Sequence, residues 1–186
     1  MIYIDDNIDG FNLQQALAMV SPQRREQALR YRRPHDQRLS IAAYRLLQRA
    51  LLAECGLNEV PQFTFTPNGK PLLLGHEQVH FSLSHCSAAV TCAISDRPVG
   101  IDIETLDHYS EEIAARVMSD DECRHIMTAA SPAMAFTRLW TMKESLYKLT
   151  GDDAGGDIAH MLDNVEAYRF TTIVLPSCVV TACSNK

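Results

Sequence analysis

Residues 136–151 read FTRLWTMKESLYKLTG. Leu139, Met142, Leu146 and Leu149 recur at helical spacing and make one apolar stripe. Glu144 and Lys148, four apart, sit one above the other on a neighbouring face. Gly151 follows the last periodic residue, where a left-handed C-cap is expected. Taken alone, the helix is explained by an amphipathic face carrying a solvated ion pair. A second run, VGIDIE at 99–104, opens a different reading. On a strand, Asp102 and Glu104 point to one face while Ile101 and Ile103 point to the other. Like charges held together call for a cation between them. With Glu144 as a third carboxylate, the set is all oxygen, which suits magnesium completed by water and phosphate. Polar-out alternation on an edge strand remains the plainer explanation of Asp-Ile-Glu.

Working outward, 186 residues with 46% apolar and 22% charged side chains suit one domain or two small, tightly joined halves. The net charge of −6 argues against general affinity for nucleic acid or an acidic membrane surface. That charge is uneven. Between Ser21 and Ala50, eight arginines face two acids, a net of +6, which leaves −12 for the remainder. A basic island in an acidic chain points to a specific anionic ligand; solvated arginine-rich helix faces are the alternative. The six cysteines show no CxxC spacing, and Asp5, Asp6 and Asp9 break up the N-terminus as a secretory signal. Reduced thiols in the cytoplasm are expected. No apolar run approaches a membrane span.

Ile2-Tyr3-Ile4 reads as a strand. Ser21-Pro22 opens a helix to about Tyr31, and Pro34 opens a second that Gly56 stops, with Leu39, Ala43, Leu46, Leu47, Ala50 and Leu51 inward. Strands are expected at 62–66, 79–84, 88–94 and 99–104, the last three forming an antiparallel meander under the long helix. Helices at 110–118, 119–130 and 133–150 follow; Ser119 to Glu122 carries a capping-box pattern. A polar loop is expected at 151–156, then strands at 165–174 and 178–183. The expected class is α+β: two pseudo-symmetric halves, 1–105 and 106–186, each a long helix on a small antiparallel sheet.

Lys70 lies in the tight turn Pro67-Asn68-Gly69-Lys70-Pro71, where rigid neighbours can hold it out toward a phosphate; an ordinary turn accounts for it equally. Ser84-His85 ends an apolar strand, and His85 offers a donor to phosphate or a base to a proton, unless it is simply exposed. Basic helices, GKP, FSLSH, VGIDIE and WTMKESLYK in that order suggest transfer chemistry on a pyrophosphate. No GxxxxGK[ST] run supports a Walker-type nucleotide enzyme.

With those motifs in place, the chain resembles the 4′-phosphopantetheinyl transferases of the surfactin-synthetase-activating type, from about Ser21 to Gly151 and more weakly beyond. The resemblance implies magnesium-dependent transfer of the phosphopantetheine arm of coenzyme A to a serine of an apo acyl or peptidyl carrier protein. It implies release of 3′,5′-adenosine bisphosphate and, by type, a holo-[acyl-carrier-protein] synthase activity. Asp102, Glu104 and Glu144 match the magnesium carboxylates, Glu144 also the base, and Lys148 the residue polarising the transferred phosphate. Lys143 is expected to help orient the site. Lys70, Ser84 and His85 match coenzyme A contacts, with His85 on the phosphate side. Arg24 and Arg38 match holders of the 3′-phosphate, with Arg45 a further candidate. Gln27 departs from the pattern, since some relatives carry lysine there. Only about 35 residues follow Gly151, so a trimmed second half of three short strands is expected. A monomer is expected, with no nucleic-acid or membrane partner. The rival is a degenerate relative that binds coenzyme A or a carrier without transfer.

Overall fold

The computed structural model describes residues 1–151 and 157–186, so the polar loop expected at 151–156 lies, past Gly151, outside the described residues. The chain forms two compact units, Met1–Arg97 and Pro98–Lys186.

In the first unit, β1 (Ile2–Asp5) leads to α1 (Leu13–Met19), α2 (Pro22–Leu29) and the long α3 (Pro34–Cys55). Proline stands at the first turn of α2 and α3, where its missing N–H costs nothing. Ser21 caps α2 by accepting from the Arg24 N–H. Gly56 ends α3 in the left-handed conformation, φ 69° and ψ 13°. Helix α1 is not among the elements expected from sequence; Asn12 caps it, and Arg25 Nε ties α2 to it by donating 2.6 Å to the Leu17 carbonyl. The short hairpin β2 (Phe63–Phe65) and β3 (Pro71–Leu73) encloses the GKP turn. Strands β4 (His80–His85) and β5 (Val90–Ser95) complete a sheet of order β1-β5-β4, and α3 packs on it. Helix α3 buries Leu39, Ala43, Leu46, Leu47, Ala50 and Leu51, as the periodicity requires.

The second unit begins with β6 (Val99–Thr105) and continues through α4 (Glu111–Val117), α5 (Asp120–Thr128) and α6 (Pro132–Thr150). Strands β7 (Tyr168–Val174) and β8 (Cys178–Asn185) close a sheet of order β6-β8-β7. This corrects the meander: residues 99–104 do not pair with β5 but with β8, Asp102 opposite Thr181 and Gly100 opposite Cys183. Local strand succession points the wrong way here, because the true partner lies some eighty residues further along the chain. The two sheets share one connectivity: strand, long helix, hairpin, with the first strand pairing to the last.

Helix α6 lies on the face of β6 that carries Gly100, Asp102 and Glu104. A Cβ at Gly100 would overlap the Ser145 carbonyl oxygen and stand 2.6 Å from the Leu149 nitrogen. The helix face pressed there is not the stripe expected from sequence alone. Thr137, Thr141 and Ser145 are buried alongside Leu146 and Leu149, and their small volumes permit the approach. The hydroxyls find partners: Thr141 Oγ1 lies 2.8 Å from Thr181 Oγ1, which lies 3.0 Å from Thr172 Oγ1. Gly151 has the expected positive φ of 69° but ψ of −153°, so it is not a standard left-handed cap. Replacing Gly100 by alanine must push α6 off the strand. It is expected to cost about 3 kcal/mol, the upper end for overpacking, measured by urea denaturation.

Candidate active site

Asp102 is 5% exposed although it sits on the polar side of an edge strand. This rules out the plainer explanation by polar-out alternation, since α6 covers that face. Lys148 reaches from α6 to the strand and donates from Nζ to Asp102 Oδ1 at 2.6 Å. A half-buried ammonium–carboxylate pair at that distance is a charge-assisted bond, not a solvated surface contact. Glu104 accepts from the Thr105 N–H at 2.8 Å and stands 3.0 Å from His108 Nδ1.

Glu144 faces these groups. Its carboxyl is held above the usual carboxylate range, first by burial and then by the Asp102 charge; Lys148 pulls it down and Glu104 pushes it up. Glu144 thus feels two other carboxylates, with Lys148 as the cation that acts on it. Among the described residues no group of three acidic, histidine or cysteine side chains is already gathered as a ligand cluster. The donor chemistry nonetheless fits magnesium, which takes few protein oxygens and fills the rest with water and substrate phosphate.

Lys143, beside Glu144, is spent on contacts within its own unit. Its ammonium is fully buried and saturated, donating to Glu122 Oε2 at 2.7 Å and to the Ile158 and Ala159 carbonyls at 2.8 Å each. Glu122 also closes the capping box of α5 by accepting from the Ser119 N–H. The lysine therefore clips α6 to α5 and to the turn at 158–160. The capping box is legible in sequence; its second use is not, because nothing local links Glu122 to a residue 21 positions away.

In the first unit, the three arginines expected to share one ligand are not brought together. Arg24 lies against Ser40, Tyr44 and Phe63. Arg38 and Arg45 flank the Phe11 ring at 5.1 and 4.6 Å, and Arg38 also donates to the Phe11 carbonyl and pairs with Asp9 at 3.3 Å. Arg45 lines a cleft of about 360 Å³ with Asn7, Gln48 and Arg49. Helical spacing puts residues 38 and 45 on one side of α3 and residues 40 and 44 on the other. Lys70 lies on the turn closed by Gly69 N–H to Thr66 carbonyl, and burial pushes its ammonium pKa down. Ser84 and His85 end β4 opposite Thr91 and Val90, His85 exposed.

Two family models match the chain. Residues 98–174 match the 4′-phosphopantetheinyl transferase superfamily, and residues 10–97 match a model described as 4′-phosphopantetheinyl transferase, N-terminal. A 4′-phosphopantetheinyl transferase of Bacillus pumilus, psf-1, is 31% identical over 189 residues, covering 97% of this chain and 81% of that protein. The chain belongs to the 4′-phosphopantetheinyl transferase family. Sfp of Bacillus subtilis is 29% identical over 81% of this chain and 68% of its own length. The corresponding protein of Aneurinibacillus migulanus, gsp, is 33% identical over 71% and 56%. The boundary between the two family matches falls where the structure divides.

Two outcomes test the charge arrangement. Lys143→Met leaves the Glu122 carboxylate without its ammonium and should cost about 3 kcal/mol by chemical denaturation. Glu144 binds its proton more tightly when folded, so its ionisation destabilises the fold as pH rises above the ordinary carboxyl value of 4.5. In EDTA, Glu144→Gln should therefore gain stability over the parent protein as pH rises from about 4 to about 7, read as a widening difference in Tm.

Proposed function

We propose that the chain transfers the 4′-phosphopantetheine arm of coenzyme A to a serine of an apo acyl or peptidyl carrier protein. The observation that carries the reading is the half-buried Glu144, its proton affinity raised, beside the Lys148–Asp102 pair in a chain of this family. The finer type, holo-[acyl-carrier-protein] synthase, is part of the proposal, as are a magnesium requirement, a monomer and a cytoplasmic location. Among the described residues no helix is long and apolar enough to cross a membrane.

An unperturbed serine is a poor nucleophile, so the site must supply base, position and charge. Glu144 takes the proton from the carrier serine, which suits a carboxyl whose affinity for protons is raised. The serine Oγ forms its bond to the β-phosphorus as the pyrophosphate P–O bond breaks. Lys148 donates to the transferred phosphoryl group, and Asp102 holds that ammonium in place. His85 donates on the phosphate side, Lys70 and Ser84 contact the rest of coenzyme A, and Arg24 holds the 3′-phosphate; Arg38, spent on Asp9 and the Phe11 carbonyl, and Arg45, on the Phe11 ring, stay outside that contact. Magnesium, held by Asp102, Glu104 and Glu144, would offset the negative charge of the pyrophosphate. The leaving group is 3′,5′-adenosine bisphosphate.

The test is mass spectrometry of apo carrier proteins of fatty-acid, polyketide and peptide-synthetase origin incubated with coenzyme A. The parent protein should add the arm to at least one. EDTA should stop the addition, and Glu144→Gln or Asp102→Ala should slow it by about two orders of magnitude or more. Unaltered transfer by either variant would remove these residues from the mechanism.

A further inference from the structure

Arg24 is held in an unusual way. The centre of its guanidinium lies 5.1 Å from the Tyr44 ring centroid and 5.6 Å from that of Phe63. The two rings meet edge to face, 84° apart with centroids at 5.9 Å. Phe63 is braced behind by Phe81 at 5.4 Å, and the Tyr44 hydroxyl donates to the Pro61 carbonyl. Ser40 Oγ, at 3.4 Å from Nη1, is a distant polar neighbour. Arg24 Nε is buried with no hydrogen-bond partner, and among the described residues no carboxylate pairs with the side chain. Burial lowers the guanidinium pKa, as expected for a cation taken from water without a counter-charge.

Stacking on two ring faces offsets part of that cost and fixes the side chain. It does not satisfy the remaining N–H donors. A guanidinium immobilised on two rings, with Ser40 as its one hydrogen-bond partner among the described residues, suits a phosphate, whose oxygens accept charge-assisted bonds. Arg45 and Arg38 lack this arrangement: both lie on a single ring, and Arg38 is already committed to Asp9 and a carbonyl.

We infer that Tyr44 and Phe63 are positioning residues: they form an aromatic box that presets Arg24 as the clamp for the 3′-phosphate. They thereby set the discrimination between adenosine ligands with and without that phosphate. The inference rests on the coenzyme A reading of the preceding subsection. It goes further in assigning specificity to two uncharged side chains that touch no ligand.

Calorimetric titration of the full chain with 3′,5′-adenosine bisphosphate and with 5′-AMP tests it, because the two ligands differ only by the 3′-phosphate. The parent protein should bind the bisphosphate more tightly. Phe63→Leu keeps apolar volume and removes a ring; it should weaken the bisphosphate on the order of fivefold and leave 5′-AMP unmoved. Phe63→Tyr, which restores a ring, should restore the ratio. Equal weakening of both ligands, or an unchanged ratio, would overturn the inference and leave Phe63 as core packing. So would a parent protein with no preference. The 5′-AMP arm reports on folding of each variant. Absence of carrier modification by a protein that keeps the preference would count against transfer alone.

Discussion

The contact between α6 and β6 at Gly100 governs the second unit. With no Cβ in the way, the helix backbone comes down onto the strand, and short side chains at Thr137, Thr141 and Ser145 let it stay there. Once that distance is fixed, Lys148 reaches Asp102 at 2.6 Å and Glu144 is drawn into a half-buried setting shared with two other carboxylates. The perturbed proton affinity of Glu144 is thus a packing result as much as an electrostatic one. A larger residue at position 100 would dilute every interaction that makes the carboxyl unusual.

The two units treat buried cations in opposite ways. Lys143 is saturated: three acceptors meet three donors, and nothing is left over for a ligand. Such an ammonium is a structural fastener. Arg24 is surrounded instead by ring faces that shape it without satisfying it. Counting donors against acceptors separates the two roles more sharply than burial or charge does. Lys143 is fully buried and Arg24 partly so, and burial by itself does not say which of them has a donor to spare.

Much of the architecture is legible in the sequence. Pro22, Pro34 and Gly56 bound their helices as turn chemistry dictates, and the capping box at Ser119 and Glu122 closes as its spacing predicts. The carboxylate set is also visible, because period-two spacing puts Asp102 and Glu104 on one face. What escapes is non-local. Strand β6 looks like part of the first sheet, since its partner lies near the C-terminal end of the sequence. The arginines of α2 and α3 look like one group because charge counting has no azimuth; on the helix, the residues around Arg24 and those around Phe11 lie on different sides. The stripe on α6 looks purely hydrophobic when part of the buried face is small and hydroxylated, a pattern that apolar periodicity passes over.

The repeated connectivity has a kinetic side. In each unit the opening strand pairs with the closing one: Ile2 with Ala93, and Val99 with Ser184. Neither sheet can be completed until its final strand has left the ribosome. Until then the long helices α3 and α6 lack the completed sheet that covers their apolar sides. Late, long-range pairing slows folding and exposes nascent chains to aggregation. Synthesis of this protein therefore passes twice through the same vulnerable interval, once for each half.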